Sequence, residues 1–185
     1  MTNTGPSGSV PLRTLSPFSS LVNRTVIIKN MQQDLYLNVL GSTPFPFRKV
    51  HLWDDPHNQG NHWIIKVDHS VPYLAFNIHC FINEELVLGL KDIGDDHDPT
   101  WASACVRPHG SPRTRWRIYL RNDNVSYELN CPGFERARRG WIAAKDHGPE
   151  LVRGALVALR HERHPCRPDH NFGICTDITQ TVKLV

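Results

Sequence analysis

The sequence predicts an all-β domain built from three pseudo-repeats of about four strands each. Three observations lead there. Short β-branched and aromatic runs are separated by clusters of Gly, Pro, Asn and Asp. Helical periodicity is weak: the best candidate, Glu150–Leu159, contains Gly154, and its Val152 and Val157 suit a strand equally well. A series of apolar runs closed by one large aromatic recurs three times along the chain.

The first unit offers strands at Thr25–Lys29, Leu35–Leu40, Val50–Trp53 and His62–Val67, and closes at Trp63. The second begins near Tyr73-Leu-Ala-Phe-Asn, passes through Leu86-Val-Leu-Gly-Leu and Ser103-Ala-Cys-Val, and closes at Trp116. The third runs from Ser126-Tyr-Glu-Leu-Asn through Trp141-Ile-Ala-Ala and Val157-Ala-Leu-Arg to a closing Phe172. One such unit cannot bury a hydrophobic face by itself. Three units around an axis share a core, which the closing aromatics fill, and closure removes the exposed sheet edges that invite aggregation. The expected boundaries are a flexible extension over 1–23 and one domain over 24–185, with repeats at about 24–68, 69–122 and 123–185.

The chain has 185 residues, enough for one domain with a full core. A net charge of +3 with acids and bases interspersed gives no clustered basic face, so nucleic acid is not an expected partner. Arg136, Arg138 and Arg139 form the nearest basic run and read as a solvated loop. No stretch reaches the ~18 consecutive apolar residues of a membrane span. The segment Met1–Val22 is rich in Ser, Thr, Pro and Gly and has no basic start followed by an apolar run, unlike a secretory signal. Cys80, Cys105, Cys131, Cys166 and Cys175 are odd in number and show no pairing frame. Both features lead to the expectation of a cytoplasmic protein with reduced, buried thiols.

Leu35-Tyr-Leu-Asn-Val, Val50-His-Leu-Trp-Asp and Gly60-Asn61-His62-Trp63-Ile64, in that order, resemble a repeat of the ricin B-chain-like β-trefoil lectins, whose repeats carry a Gln-x-Trp-type closing motif. The match covers about 24–68, and the rest of the chain is a degenerate echo. The resemblance implies a β-trefoil and a non-catalytic carbohydrate-binding function. It implies a site on the first repeat: Asn38 in place of the usual acid, His51 in place of a Gln, Trp53 as the aromatic platform, and the polar pair Asn61 and His62 before the closing aromatic. The half-cystines common in secreted members are replaced by Tyr36 and Asp54. The second and third repeats look blind, with Gly89 and Val106 in the acid and platform places of one and Ala143 and Arg160 in those of the other.

The chemistry agrees independently. A pyranose has one apolar C–H face and a rim of hydroxyls, so it needs an aromatic plate and polar groups around it. Trp53 suits the plate. Asn38 can donate and accept, but without the charge assistance of a carboxylate. His51 titrates near neutrality, so binding that depends on pH is an expectation. A second reading stays open at this point: Trp53 packs against loop 54–60, and Asn61 caps the turn through Asp54-Asp55-Pro56. Trp63 reads as core.

Other patterns carry less. His161, His164, Cys166, His170 and Cys175 lie near one another but match no compact zinc spacing, and Gly94–Asp98 is an acidic turn without the alternation of a calcium loop. No nucleophile-elbow, zinc-protease or phosphate-loop motif is present, so neither enzyme activity nor a cofactor is expected. The expected partner is a glycan or glycoprotein, with homo-oligomers as one route to avidity. The alternative is a protease inhibitor or other protein-binding trefoil acting through Thr43–Arg48, Asn130–Arg139 or His161–Asn171. An actin-bundling trefoil would need several such domains, and this length holds one.

Overall fold

A computed structural model describes residues 18–30, 35–91, 101–120, 126–132, 140–144, 157–161 and 172–176. Twelve strands form among them: β1 Thr25–Asn30, β2 Leu35–Val39, β3 Val50–Trp53, β4 His62–Val67, β5 Phe76–Cys80, β6 Leu86–Leu90, β7 Trp101–Pro108, β8 Arg117–Leu120, β9 Ser126–Asn130, β10 Gly140–Ala144, β11 Val157–His161 and β12 Phe172–Thr176. All the first-repeat runs form strands, as expected, except that Leu40 leaves the second and begins a 3-10 turn. The part of Glu150–Leu159 that is described belongs to β11, where Val157 suits the extended chain. Residues 150–156 lie outside the described residues.

Six strands close a barrel. β1 pairs with β4 (Val26 opposite Trp63), and β4 with β5 (Trp63 opposite Cys80). Phe76 and Trp116 exchange two backbone hydrogen bonds of 2.8 Å, joining the start of β5 to the chain entering β8. β8 pairs with β9, β9 with β12, and β12 returns to β1, with Val26 opposite Thr176. The other six strands form three hairpins, β2–β3, β6–β7 and β10–β11. Lys49 bridges to Cys105 between the first two hairpins, and β7 pairs with β11 to join the third. Three four-strand units closing one barrel and one triangular cap make a β-trefoil.

Two of the closing aromatics, Trp63 and Trp116, hold barrel to cap. Trp63 and Trp116 are fully buried, and a buried indole N–H needs an acceptor. Trp63 Nε1 donates to Leu37 O and Trp116 Nε1 to Leu88 O, both at 2.9 Å. Phe172 opens β12 and stands opposite Asn30 and Tyr127. The indoles share one core with Val26, Ile28, Leu52, Ile65, Phe76 and Val106 among others.

Residues 18–23, assigned above to the extension, pack onto the barrel. Phe18 and Leu21 are buried in the core, and the Phe18 ring meets Phe76 edge-on at 5.4 Å. Val22 bridges to Ile65, and Asn23 N–H donates to Ile65 O at 2.8 Å. Cys80, Cys105 and Cys131 are buried and in no disulfide, and burial pushes the Cys80 thiol up. Among the described residues no helix is long and apolar enough to cross a membrane. Arg136, Arg138, Arg139, His164, Cys166, His170 and Gly94–Asp98 lie outside the described residues, as do most of the two later candidate loops.

Candidate functional site

The antiparallel register of β2 and β3 sets Asn38 opposite His51 and Tyr36 opposite Trp53. Asn38 lies on the same strand as Leu37, which accepts from Trp63, so the closing motif fixes where the candidate residues stand. The chain leaving Trp53 passes through a turn over 54–58 and a 3-10 turn at Gln59–Asn61 before entering β4.

Asn38, His51 and Asn61 come together in one buried network, each 3% exposed or less. Asn38 Nδ2 donates to Asn61 Oδ1 at 2.7 Å and to Asn58 Oδ1 at 3.2 Å. Its two amide hydrogens are thereby used, and its Oδ1 is left as the acceptor facing His51 Nε2 at 2.8 Å. The network therefore selects the His51 tautomer that carries its proton on Nε2. Asn61 Nδ2 donates to Asp55 O. Asn58 Oδ1 also accepts from Gly60 N–H at 2.9 Å, capping the 3-10 turn. A Cβ on Gly60 would stand 2.9 Å from Asn38 Nδ2 and 3.3 Å from Val39 O, so this close approach requires glycine.

The amides thus staple loop 54–61 to the first hairpin, and Asn61 holds the Asp55 turn as the second reading of the sequence anticipated. Burial holds the His51 imidazole below its ordinary value, and the Arg48 guanidinium adds to the shift. The Trp53 ring lies 5.2 Å from the His51 ring at 38° and is half-buried. Beside it in sequence, Asp54, Asp55, His57 and Gln59 are exposed. His62 is placed differently: its buried ring meets Phe81 edge-on at 5.7 Å, next to the turn between β5 and β6.

The second repeat repeats the frame without the site. Leu88 accepts from Trp116 as Leu37 does from Trp63, so Gly89 stands in the place of Asn38 and Thr114 in that of Asn61. Ser111 caps the 3-10 turn Pro112–Thr114 as Asn58 caps its own. Val106 faces Leu88 and is buried in the core, and Arg107 faces Val87 as Trp53 faces Tyr36. Arg107, not Val106, therefore takes the platform's place. The expectation of Val106 at the platform fails by one residue, because alternation turns Val106 into the core. A Cβ on Gly89 would lie 2.7 Å from Arg107 Cδ, so the arginine stem fills the space that Asn38 occupies in the first repeat. In the third repeat the register pairs Ala143 with Ala158 and Arg160 with Trp141, so an arginine again holds the register position of the platform.

No family model and no curated protein sequence matches the chain. Solved structures do. A designed threefold-symmetric protein, ThreeFoil, matches with a TM-score of 0.67 at 10% identity over 83% of this chain and 99% of its own. The ricin B-like lectin of Macrolepiota procera, solved with lactose, gives 0.64 at 11% identity over 84% and 97%. The C-terminal half of an earthworm R-type lectin, solved with GalNAc, gives 0.56 at 15% identity over 83% and 99%. At these identities the likeness establishes the β-trefoil fold.

Proposed function

We propose that the protein is a non-catalytic carbohydrate-binding domain with one sugar site on its first repeat. The observation that carries this reading is a half-buried indole, Trp53, standing beside a polar loop that buried amides hold in place. In the second repeat Arg107 takes the place of the indole, and its stem fills the space that Asn38 occupies in the first.

The roles divide by burial. Trp53 is the plate for the apolar face of the sugar. Asn38, His51 and Asn61 act from beneath, holding the loop and its exposed Asp54, Asp55, His57 and Gln59 as a hydroxyl-binding rim. His62, sealed against Phe81, supports the junction with the second repeat. Carboxylates and amides are good partners for sugar hydroxyls. A single shallow site of this kind gives only about millimolar affinity, roughly −4 kcal/mol. A homo-oligomer or a multivalent glycoprotein would supply the avidity. Since two structural neighbours hold lactose and GalNAc, galactose-type glycans are the first probes to use.

A glycan array of the wild type beside Trp53→Ala tests the reading. The expected outcome is binding to a defined glycan class that falls at least about tenfold in the variant, as loss of the stacking plate requires. A folded wild type that binds no glycan refutes the site and directs the search to proteases and other protein partners. Binding that survives Trp53→Ala moves the site elsewhere on the trefoil.

A further inference from the structure

The chain between β2 and β3 reads Pro44-Phe45-Pro46-Phe47-Arg48-Lys49. It is firmly held. Phe47 N–H donates to Val106 O at 2.7 Å, Val106 N–H donates to Arg48 O at 2.9 Å, and Arg48 N–H closes a turn on Phe45 O at 3.0 Å. Two prolines restrict the backbone further. Yet Phe45 and Phe47 are 48% and 47% exposed. Phe47 has φ +67°, a left-handed conformation that a bulky residue adopts only where its surroundings enforce it. The fold thus spends strain to hold an aromatic ring in water, where neither the core nor the sugar loop uses it.

Each ring carries a cation. Arg48 Cζ lies 4.8 Å from the Phe45 centroid, and Arg107 Cζ lies 5.5 Å from that of Phe47. Lys49 follows directly. Among the described residues neither Arg48 nor Lys49 has a carboxylate partner. Asp54 and Asp55 stand beyond the other end of β3.

We propose that this turn is a peripheral membrane contact for anionic lipid. Phe45 and Phe47 enter the boundary between headgroups and acyl chains, and Arg48, Lys49 and Arg107 meet the phosphates. Aromatic rings at one tip flanked by cations match the layering of that surface, apolar beneath anionic. An acidic peptide would meet the same cations, but it gives no reason to hold two rings out of the fold on one turn.

Flotation with sugar-free vesicles tests this independently of glycan binding. The full chain should float with vesicles of one part phosphatidylserine to two parts phosphatidylcholine, and not with phosphatidylcholine alone. Raising the salt to about 1 M should release it. The double variant Phe45→Ala, Phe47→Gly should partition at least about tenfold less. Glycine adopts the left-handed conformation freely, so this variant keeps the turn, and an undiminished melting temperature verifies its fold. A wild type that does not float with the anionic vesicles overturns the proposal, as does a folded double variant that floats equally well. Phe45-dependent binding of soluble polyglutamate without flotation also overturns it and makes the turn a protein-docking surface.

Discussion

His51 sits where a positive charge is expensive, buried above the core and near Arg48. Its folded-state affinity for protons lies below the ordinary value of 6.5. Between the folded and unfolded values the unfolded chain binds more protons, so stability rises with pH across that window. The contribution is complete above about pH 6.5 and is lost as pH falls toward the folded value. His79, lowered chiefly by its own burial, adds to the same slope. Urea midpoints should therefore be flat from about pH 7 to 8 and fall by about pH 5, and His51→Gln, which keeps a donor for Asn38, should lessen the fall. A slope that His51→Gln leaves unaltered would show that His51 is not among its sources. Glycan binding should likewise be constant above about pH 6.5 and change only below it. The pair His51 and Trp53 was legible through the resemblance, and spacing agrees with it, since residues two apart on a strand share a face. The inward saturation of Asn38 was not. Its partners Asn58 and Asn61 lie more than a dozen residues away, and only the folded-back loop brings them near.

At the scale of elements, the repeat is a frame with an interchangeable filling. A tryptophan at the closing position, its acceptor on the second strand and a capped 3-10 turn between them recur in the first two repeats. What differs is the space beneath the platform: Asn38 and its amide network in one, Gly89 and the Arg107 stem in the other. This predicts that Gly89→Ala costs about 1–3 kcal/mol, because a new Cβ must displace Arg107 and crowd Arg113 O at 3.1 Å. Chemical denaturation of the variant checks it, and an unchanged midpoint would mean that Arg107 moves aside freely. The strands themselves were readable because β-branched runs and turn residues mark them locally. The sequence places Gly89 in register with Asn38 but misplaces Val106 by one residue. A strand of mostly small residues such as Ala102–Val106, with Ser103 among them, carries weak alternation, so pairing rather than pattern settles which residue faces in.

For the molecule as a whole, the threefold plan was legible because closing aromatics survive where site residues do not. The boundary of the domain was less so. Phe18 and Leu21 stand in a segment whose Ser, Pro and Gly content reads as a tail, and two isolated apolar residues give no periodicity to detect. They nevertheless complete the core beside Phe76 and Tyr127. Phe18→Ala should destabilise the fold by about 3–5 kcal/mol, measured by urea unfolding. A chain starting at residue 24 should lose at least as much, and a truncation as stable as the full chain would make the segment dispensable.

The pairing of β1 with β12 has a consequence for the birth of the protein. Val26 waits for Thr176, a partner about 150 residues downstream. At roughly 5–20 residues per second on the ribosome, that interval is about 8–30 s, during which one flank of β1 has no strand to bond. The nascent trefoil is therefore an open sheet with a sticky edge until its last repeat emerges, and chaperones that shield such edges should matter more for its yield than for its stability once closed.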